Sequence, residues 1–133
     1  FLSVEGSPFD FREMKKIGDG IHCDNAQLKL GGTYDHNFVI NGDGLREAAV
    51  LQSNESGIRL TCFTDQPGVQ LYVPCYTLHQ KGIDGKDYPP YSAVCLETQH
   101  YPNAINIEHF PSVVLKAGEN FRSKTLYHFS VMG

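Results

Sequence analysis

Short runs of alternating apolar and polar residues dominate the chain, and dense turn signals separate them. Glycine, proline and asparagine clusters, such as Asn41–Gly44 and Pro67-Gly68, punctuate the sequence at short intervals. Alternation between such turns is the pattern of half-buried β-strands. The predicted strands are Phe38–Ile40, Ala48–Gln52, Gly57–Asp65, Val69–Cys75, Ala93–Thr98, Ser112–Lys116 and Phe121–Met132.

Helical periodicity is weak and confined to Phe9–Ile17. Strands joined by short turns, without helices between them, pair antiparallel in sandwiches or barrels. The sequence therefore predicts an all-β protein with antiparallel sheets. At 133 residues the chain is long enough for a hydrophobic core, and we treat 1–133 as a single domain or fragment.

Composition and charge narrow the choice of partners. Hydrophobic residues make up 41% and charged residues 20% of the chain, which are ordinary values for an ordered globular protein. The formal net charge is −4, and Lys15-Lys16 is the longest run of basic residues. We therefore expect no nucleic-acid partner. The apolar runs are shorter than a membrane helix requires, so we expect no membrane partner either.

The four cysteines, Cys23, Cys62, Cys75 and Cys95, are widely spaced and form no Cys-x-x-Cys pair. Zinc sites normally draw on close ligand pairs, so we expect no metal. Reduced cysteine behaves as a small hydrophobe in apolar strands. We expect free thiols in a reducing cytoplasm.

The opening stretch "FLSVEGSPFDF" has neither the basic region nor the long apolar segment of a secretory leader. It does not begin with Met. We expect the chain to be a piece of a longer protein.

Polar residues concentrate in three stretches beside apolar strands: "GGTYDHNFVI" (31–40), "TDQPGVQLY" (64–72) and "LETQHYPNA" (96–104). Each has a simple local explanation, because Asp, Asn and Gln serve in turns or on solvated strand ends. A Ser-centred nucleophile has no support, since no Gly-x-Ser-x-Gly motif occurs. The three stretches include the polar residues Asp35, His36, Asn37, Gln70, Glu97, Gln99 and His100.

Taken together, these stretches resemble the C-terminal part of the aldose 1-epimerase (galactose mutarotase) family. The resemblance is carried by "GTYDHNFVI", "TDQPGVQLY" and above all "CLETQHYPNAINIEHFPSVVLKAGENFRSKTLYHFSV", and it begins at "GSPFDFR". It implies an antiparallel β-sandwich, the galactose mutarotase-like supersandwich. It also implies that the chain corresponds to the last part of that fold, well under half.

The resemblance implies the interconversion of the α and β anomers of free aldohexoses, galactose or glucose, with no cofactor. Glu97 matches the general base of the family, and Asp35 and Gln70 match sugar-binding residues. Because Glu97 follows the apolar residues Val94 and Leu96 near a predicted strand end, we expect a rigid carboxylate with limited exposure to solvent.

The general acid of the family is a histidine in an earlier part of the fold, which this sequence does not contain. We therefore expect the missing N-terminal part to be a partner of the chain. His36 and His100 could lie near the site, but we assign them to hydrogen bonding or packing rather than to acid catalysis, and we interpret His128 as structural. The remaining histidines are His22, His79 and His109.

Two other functions stay open. The chain could be a non-catalytic carbohydrate-binding β-sandwich that lacks the acid, or an interaction domain that binds no sugar. A hexose 6-phosphate substrate would require basic residues near the site, and the three polar stretches contain no basic cluster.

Overall fold

Eight strands and one short helix account for most of the regular structure of the described residues. The computed structural model describes residues 1–76 and 78–133, except for the side chains of residues 78–80. Single 3-10 turns lie at Ile17–Asp19 and Ala104–Asn106. The longer elements are β1 (Asp35–Val39), β2 (Arg46–Gln52), β3 (Ile58–Thr64), β4 (Gly68–Tyr72), β5 (Leu78–Lys81), β6 (Asp87–Tyr88), β7 (Cys95–Gln99), β8 (Thr125–Val131) and α1 (Ala26–Gly31).

The chain divides into two compact units. The first comprises Phe1–Asp35 and Tyr72–Cys95, and the second comprises His36–Leu71 and Leu96–Gly133. The first unit is centred on Tyr34, which is fully buried. Phe9 and Phe11 pack edge-on against its ring at centroid distances of 5.5 and 5.3 Å. The Tyr34 hydroxyl donates to the Pro8 carbonyl oxygen at 2.9 Å, so the one polar atom of this core side chain is paired.

The second unit contains a regular antiparallel sheet with strand order β2-β3-β8. In this sheet Leu51 lies opposite Leu60, and Leu60 lies opposite Phe129. Residues directly opposite one another share a face, so these three side chains line one side of the sheet. Gly57 closes the β2–β3 turn with φ of 71°, a conformation that a side chain would strain.

A further three-stranded sheet has the order β1-β4-β7. Val69 and Leu71 of its middle strand are buried, whereas Gln70 between them is only partly covered. This is the alternation expected of a strand with one apolar and one polar face. The paired strands confirm the antiparallel all-β class predicted from the sequence.

The predicted strand Ser112–Lys116 is absent, and this prediction is wrong. All five residues are exposed and form no ladder. The backbone amide of Lys116 instead donates to the nearby Glu119 carboxylate at 2.8 Å. Apolar composition alone predicted a strand here, but a strand also needs a neighbour to pair with.

The weak helix predicted at Phe9–Ile17 is also wrong. Only a 3-10 turn, Ile17–Asp19, begins at its end. Phe9 and Phe11 both contact Tyr34. Residues two apart point in different directions on a helix but to one side of an extended chain, so packing on Tyr34 favours the extended form.

Helix α1 and the β5–β6 hairpin were not predicted. The helix is short and is marked in the sequence only by its capping residues. The Asn25 side chain caps its N-terminus by accepting from the Gln27 amide at 2.9 Å, and Gly32 ends the helix with φ of 69°. The hairpin pairs Leu78 with Tyr88 and Lys81 with Asp87, and the Lys81 and Asp87 side chains form an ion pair across it. No helix among the described residues is long and apolar enough to cross a membrane.

Candidate functional site

Three side-chain amides meet on one face of the β1-β4-β7 sheet. The Gln99 Nε2 atom donates to Asn37 Oδ1 at 3.1 Å and to Gln70 Oε1 at 3.3 Å. One residue comes from each strand, and all three belong to the second unit. The side chains therefore form a continuous polar patch, which we call the amide cluster (Asn37, Gln70 and Gln99).

Gly68 makes room for this cluster. A Cβ atom at Gly68 would lie 2.6 Å from Asn37 Oδ1 and 2.8 Å from Asn37 Nδ2, closer than real Cβ atoms come. The Asn37 amide thus lies directly over the backbone at the start of β4. The Pro67-Gly68 turn is therefore needed for packing as well as for chain reversal.

Glu97 lies on the same face as the amide cluster. It precedes Gln99 by two residues in β7, and side chains two apart on a strand point to the same side. Glu97 is at the centre of β7 rather than at its end, because the strand continues to Gln99. The predicted placement at a strand end is thus corrected.

The Glu97 carboxylate is exposed in the described chain. Shielding by its apolar neighbours was expected, and that expectation is wrong. Leu96 precedes Glu97 directly, so strand alternation turns the Leu96 side chain to the opposite face. The polar face around Glu97 instead presents Gln99 and the other amides.

The residues on either side of Glu97 are anchored to β8, Leu96 through its backbone and Thr98 through its side chain. The Tyr127 hydroxyl donates to the Leu96 carbonyl oxygen at 2.7 Å. The Thr98 and Thr125 hydroxyls lie 2.6 Å apart, and Thr125 is also 3.2 Å from the hydroxyl of Thr64, which is fully buried. Hydrogen bonds at Leu96 and Thr98 therefore fix the strand on both sides of the carboxylate.

The surroundings of Tyr127 raise the pKa of its hydroxyl. Partial burial raises the pKa of its phenol, and the Cys62 thiol and the Glu97 carboxylate raise it further. The pKa of the Cys62 thiol is itself raised by burial. Tyr127 therefore remains a hydroxyl at neutral pH and keeps donating to the Leu96 carbonyl.

Asp35 belongs to the first unit, where it is exposed at the start of β1. Its negative charge acts on Tyr72 of the same unit. The pKa of Tyr72 is raised to about 12, foremost because its hydroxyl donates to Tyr76 at 3.0 Å, then by burial and by the charges of Tyr76, Cys75 and Asp35. Asp35 thus provides a solvent-accessible carboxylate beside a tyrosine that stays protonated.

A separate open cleft of about 460 Å³ in the first unit is lined by Asp10, Arg12, Glu13 and Lys15. Arg12 donates twice to Asp10, at 2.8 and 2.7 Å, and lowers the pKa of that carboxyl to about 2. Lys15 donates to the Pro8 carbonyl at 2.8 Å and lies over the Phe11 ring. These contacts hold the turn around Phe11 and give the cleft no convergent reactive group.

The histidines do not converge on Glu97 in any contact described. His22 packs edge-on against Tyr91, and His109 against Phe110, at centroid distances of 5.5 and 4.8 Å. His128 is exposed on β8 opposite Thr61. The side chain of His79 lies outside the described residues. Among the histidines the structure describes, packing is therefore shown for His22 and His109.

The described part of the chain contains no group of side chains that could bind a metal ion. No three His, Cys, Asp or Glu side chains there are grouped closely enough to hold an ion. The four cysteines, all within the described ranges, are free thiols.

Comparison with known proteins identifies the family to which the chain belongs. A family model described as aldose 1-epimerase matches residues 1–128. The chain belongs to the aldose 1-epimerase family. The resemblance predicted from the three polar stretches is confirmed.

Curated relatives agree with this assignment. Galactose mutarotase of Bos taurus is 40% identical over 133 residues, which cover 97% of this chain and 37% of the relative. Galactose mutarotase of Homo sapiens is 38% identical over 132 residues, with coverage of 96% and 36%. Aldose 1-epimerase of Escherichia coli (strain K12) is 31% identical over 131 residues, with coverage of 96% and 38%. The chain therefore spans well under half the length of these family members.

Solved structures of the family share the fold. A GalM/aldose epimerase homologue from C. elegans superposes with a TM-score of 0.78 at 28% identity, over 98% of this chain and 39% of that one. Galactose 1-epimerase from Lactobacillus acidophilus gives a TM-score of 0.76 at 28% identity, over 99% and 37%. The predicted aldose epimerase fold is confirmed.

The amide cluster contains two residues to which the sequence assigned no role. Asn37 and Gln99 were noted only as polar residues beside Asp35 and Glu97. Each lies two positions after one of those carboxylates, which is the strand period, and that spacing was the available signal. The roles of Glu97, Asp35 and Gln70 in an aldose 1-epimerase remain predictions.

Proposed function

We propose that this chain is the C-terminal part of one aldose 1-epimerase sandwich, whose activity interconverts the α and β anomers of free aldohexoses such as galactose or glucose. The observation that carries the proposal is its 40% identity to a galactose mutarotase over 97% of the chain. The exposed Glu97 carboxylate beside the amide cluster supports it. Carboxylates and amides together suit a ligand covered with hydroxyl groups.

The reaction needs two proton transfers. A base removes the proton of the C1 hydroxyl while an acid protonates the ring oxygen, and the ring opens to the aldehyde. Rotation about the C1–C2 bond and closure from the other face give the second anomer. Each positioned proton-transfer group contributes on the order of 10²–10⁴-fold to the rate.

Glu97 is the base in this proposal. A general base must come within hydrogen-bond reach of the proton that it removes. Its exposure leaves the carboxylate open to a ligand, and the anchors at Leu96 and Thr98 fix the backbone that carries it. Rigid positioning of this kind lowers the entropic part of the barrier.

Gln70 and Asp35 are the proposed sugar-binding residues of this chain. The Gln70 amide can both donate to and accept from a hydroxyl, whereas the Asp35 carboxylate accepts only. Because a site that pairs each hydroxyl leaves polar atoms unpaired when one is missing, such groups select among sugars. The supporting observation is that Asp35 is exposed and Gln70 is partly so.

The proposed acid lies outside this chain. The resemblance assigns it to a histidine from the N-terminal part of the same fold, which we propose as the partner of this chain. The free thiols suit a reducing compartment, and we propose the cytoplasm. The chain covers 37% of the bovine relative, which leaves ample length for the partner segment.

The test replaces Glu97→Gln in the complete protein that carries this chain. Polarimetry of freshly dissolved α-galactose should show a rate reduced on the order of 10²–10⁴-fold, because the amide keeps the shape but cannot take the proton. Galactose binding, measured by calorimetry, should persist. Glu55→Gln, which changes an exposed carboxylate in the β2–β3 turn, is the matched control and should leave the rate unchanged.

Three outcomes would contradict the proposal in different ways. Undiminished turnover by the Glu97→Gln variant would remove Glu97 from the mechanism. Galactose binding by the unsubstituted protein, with anomers interconverting only at the rate in water, would show a non-catalytic carbohydrate-binding protein. Failure to bind any aldose would point to an interaction domain.

A further inference from the structure

Gln99 occupies the middle of the amide cluster and uses both hydrogens of its amide nitrogen there. A glutamine NH2 group carries two donors, and Gln99 Nε2 has two acceptors, Asn37 Oδ1 at 3.1 Å and Gln70 Oε1 at 3.3 Å. Both neighbours direct their carbonyl oxygens towards Gln99, so these two hydrogen bonds favour the observed orientation of each amide plane.

The hydrogen bond to Gln70 has a consequence for a ligand. A planar amide carries its oxygen and nitrogen on opposite sides of the group. When Gln70 Oε1 faces Gln99, its NH2 group is turned away from Gln99. We propose that Gln99 is a positioning residue that makes Gln70 present N–H donors, rather than a carbonyl acceptor, to one hydroxyl of the sugar.

Asn37 and Gly68 keep this arrangement in place. The Asn37 side chain lies over the backbone of Gly68, where a Cβ atom would come within 2.6 Å of its oxygen. The space at Gly68 therefore lets Asn37 occupy the position from which its carbonyl accepts one N–H of Gln99. Because one hydrogen of the Gln99 NH2 group is bonded to Asn37, the other hydrogen is directed at Gln70. The orientation of the Gln99 amide therefore does not depend on its bond to Gln70 alone.

The specificity that follows rests on the proposed function. If Gln70 donates its N–H, the sugar must offer an acceptor at that position. The hydrogen of the sugar hydroxyl is then not used by Gln70. A fluorine atom accepts weakly and cannot donate, whereas a hydrogen atom does neither. The site should therefore tolerate a fluorine in place of the contacted hydroxyl better than it tolerates loss of that hydroxyl.

The orientation can be measured without any sugar. In the complete protein, labelled with ¹⁵N and ¹³C, scalar couplings through the hydrogen bonds should connect Gln99 Nε2 with the side-chain carbonyl carbons of Gln70 and Asn37. Couplings in the reverse direction, from the Gln70 nitrogen to the Gln99 carbonyl carbon, would overturn the proposal. Absence of coupling in either direction would overturn it as well.

The specificity is tested with 2-, 3-, 4- and 6-monodeoxy galactoses and the matching deoxyfluoro galactoses. For the unsubstituted protein we expect one position at which the fluoro sugar binds better than the deoxy sugar. Gln99→Glu presents only acceptors, so Gln70 must turn its NH2 group inward and its carbonyl outward. The fluoro sugar should then lose its advantage at that position, with the change in KM rather than in kcat.

Gln99→Met keeps the length of the side chain and removes both hydrogen bonds. The Gln70 amide loses its hydrogen bond to Gln99, and galactose affinity should fall about tenfold, the equivalent of one hydrogen bond. Gln27→Glu and Gln27→Met change an exposed glutamine of α1 and serve as matched controls for charge and shape. They should leave both the sugar ranking and the affinity unchanged.

The failures of the two proposals are distinguishable. Galactose turnover by the unsubstituted protein, with equal binding of fluoro and deoxy sugars at every position, would overturn the role of Gln99 and leave the proposed function intact. A protein that shows the expected couplings but neither binds nor converts galactose would overturn the proposed function, and with it the role of Gln99 in sugar recognition.

Discussion

At Gly68 the absence of a side chain decides where Asn37 can lie. A Cβ atom there would approach Asn37 Oδ1 to 2.6 Å and Asn37 Nδ2 to 2.8 Å. We expect Gly68→Ala to lower the free energy of unfolding by about 1–3 kcal/mol, the usual effect of overpacking a fitted position. Urea unfolding followed by circular dichroism measures the change.

The displaced Asn37 should also release one hydrogen bond of Gln99, so galactose affinity should fall together with stability. Gly18→Ala is the matched control, because a Cβ atom at Gly18 meets nothing within 4 Å. Equal stability of the two variants would show that Asn37 can move aside without loss.

Single residues were predicted from the sequence with uneven success, and the reason is physical. The resemblance selected Glu97, Asp35 and Gln70, whereas the environment of Glu97 was predicted from sequence neighbours. Sequence neighbours on a strand face opposite sides, so Leu96 could not shield Glu97. The contacts of Gln99 with Asn37 and Gln70 join residues far apart in the chain, and no local pattern reveals them.

At the scale of elements, the Asp65 carboxylate holds the residues that directly precede β8. Asp65 accepts from the Lys124 backbone amide through both carboxylate oxygens, at 2.9 and 3.0 Å, and from the Ser123 hydroxyl at 3.2 Å. The Asp65 amide returns a bond to the Lys124 carbonyl at 3.2 Å. These bonds hold the end of β3 to the start of β8.

This contact predicts acid sensitivity. Hydrogen bonds, chiefly from the Lys124 amide, lower the pKa of Asp65 in the folded protein below its usual value. A depressed carboxyl pKa stabilises the fold above the unfolded pKa, near 4, and the contribution is lost as the pH falls through the lower folded value. The Tm advantage of the unsubstituted protein over Asp65→Asn should therefore be constant above about pH 5 and shrink below pH 4.

Thermal scans from pH 7 to pH 3 provide the measurement. Asp43→Asn, an exposed aspartate in the Asn41–Gly44 turn, is the control and should show no such pH-dependent difference. A Tm difference that stays constant down to pH 3 would contradict the assignment.

Strands were easier to predict than the other elements. β2, β3 and β8 each overlap a predicted strand, because alternation and a paired neighbour coincide there. Helix α1 depends on the caps at Asn25 and Gly32, which occupy single positions and give no periodicity. The false strand Ser112–Lys116 had the composition of a strand but no partner strand in the described part of the chain.

At the scale of the whole molecule, the β2-β3-β8 sheet presents an apolar face. Ile58 lies opposite Val131, and Leu60 opposite Phe129, on the same side. Ile58, Phe129 and Val131 are 48%, 66% and 80% exposed in the described chain. A face of this composition is normally covered by another layer of structure. In the proposed function, the N-terminal part of the same fold is the layer that would cover this face.

The proposed function also predicts the activity of the 133 residues alone. The proposed base Glu97 is present, but the proposed acid is not, and loss of one proton-transfer group lowers the rate on the order of 10²–10⁴-fold. We expect little or no acceleration of α-galactose mutarotation by the isolated chain in polarimetry. Adding the N-terminal part of the protein as a separate chain should restore the rate if the two associate. Brisk turnover by the isolated chain would instead make one of its own histidines the acid, and His36→Gln and His100→Gln would then identify which.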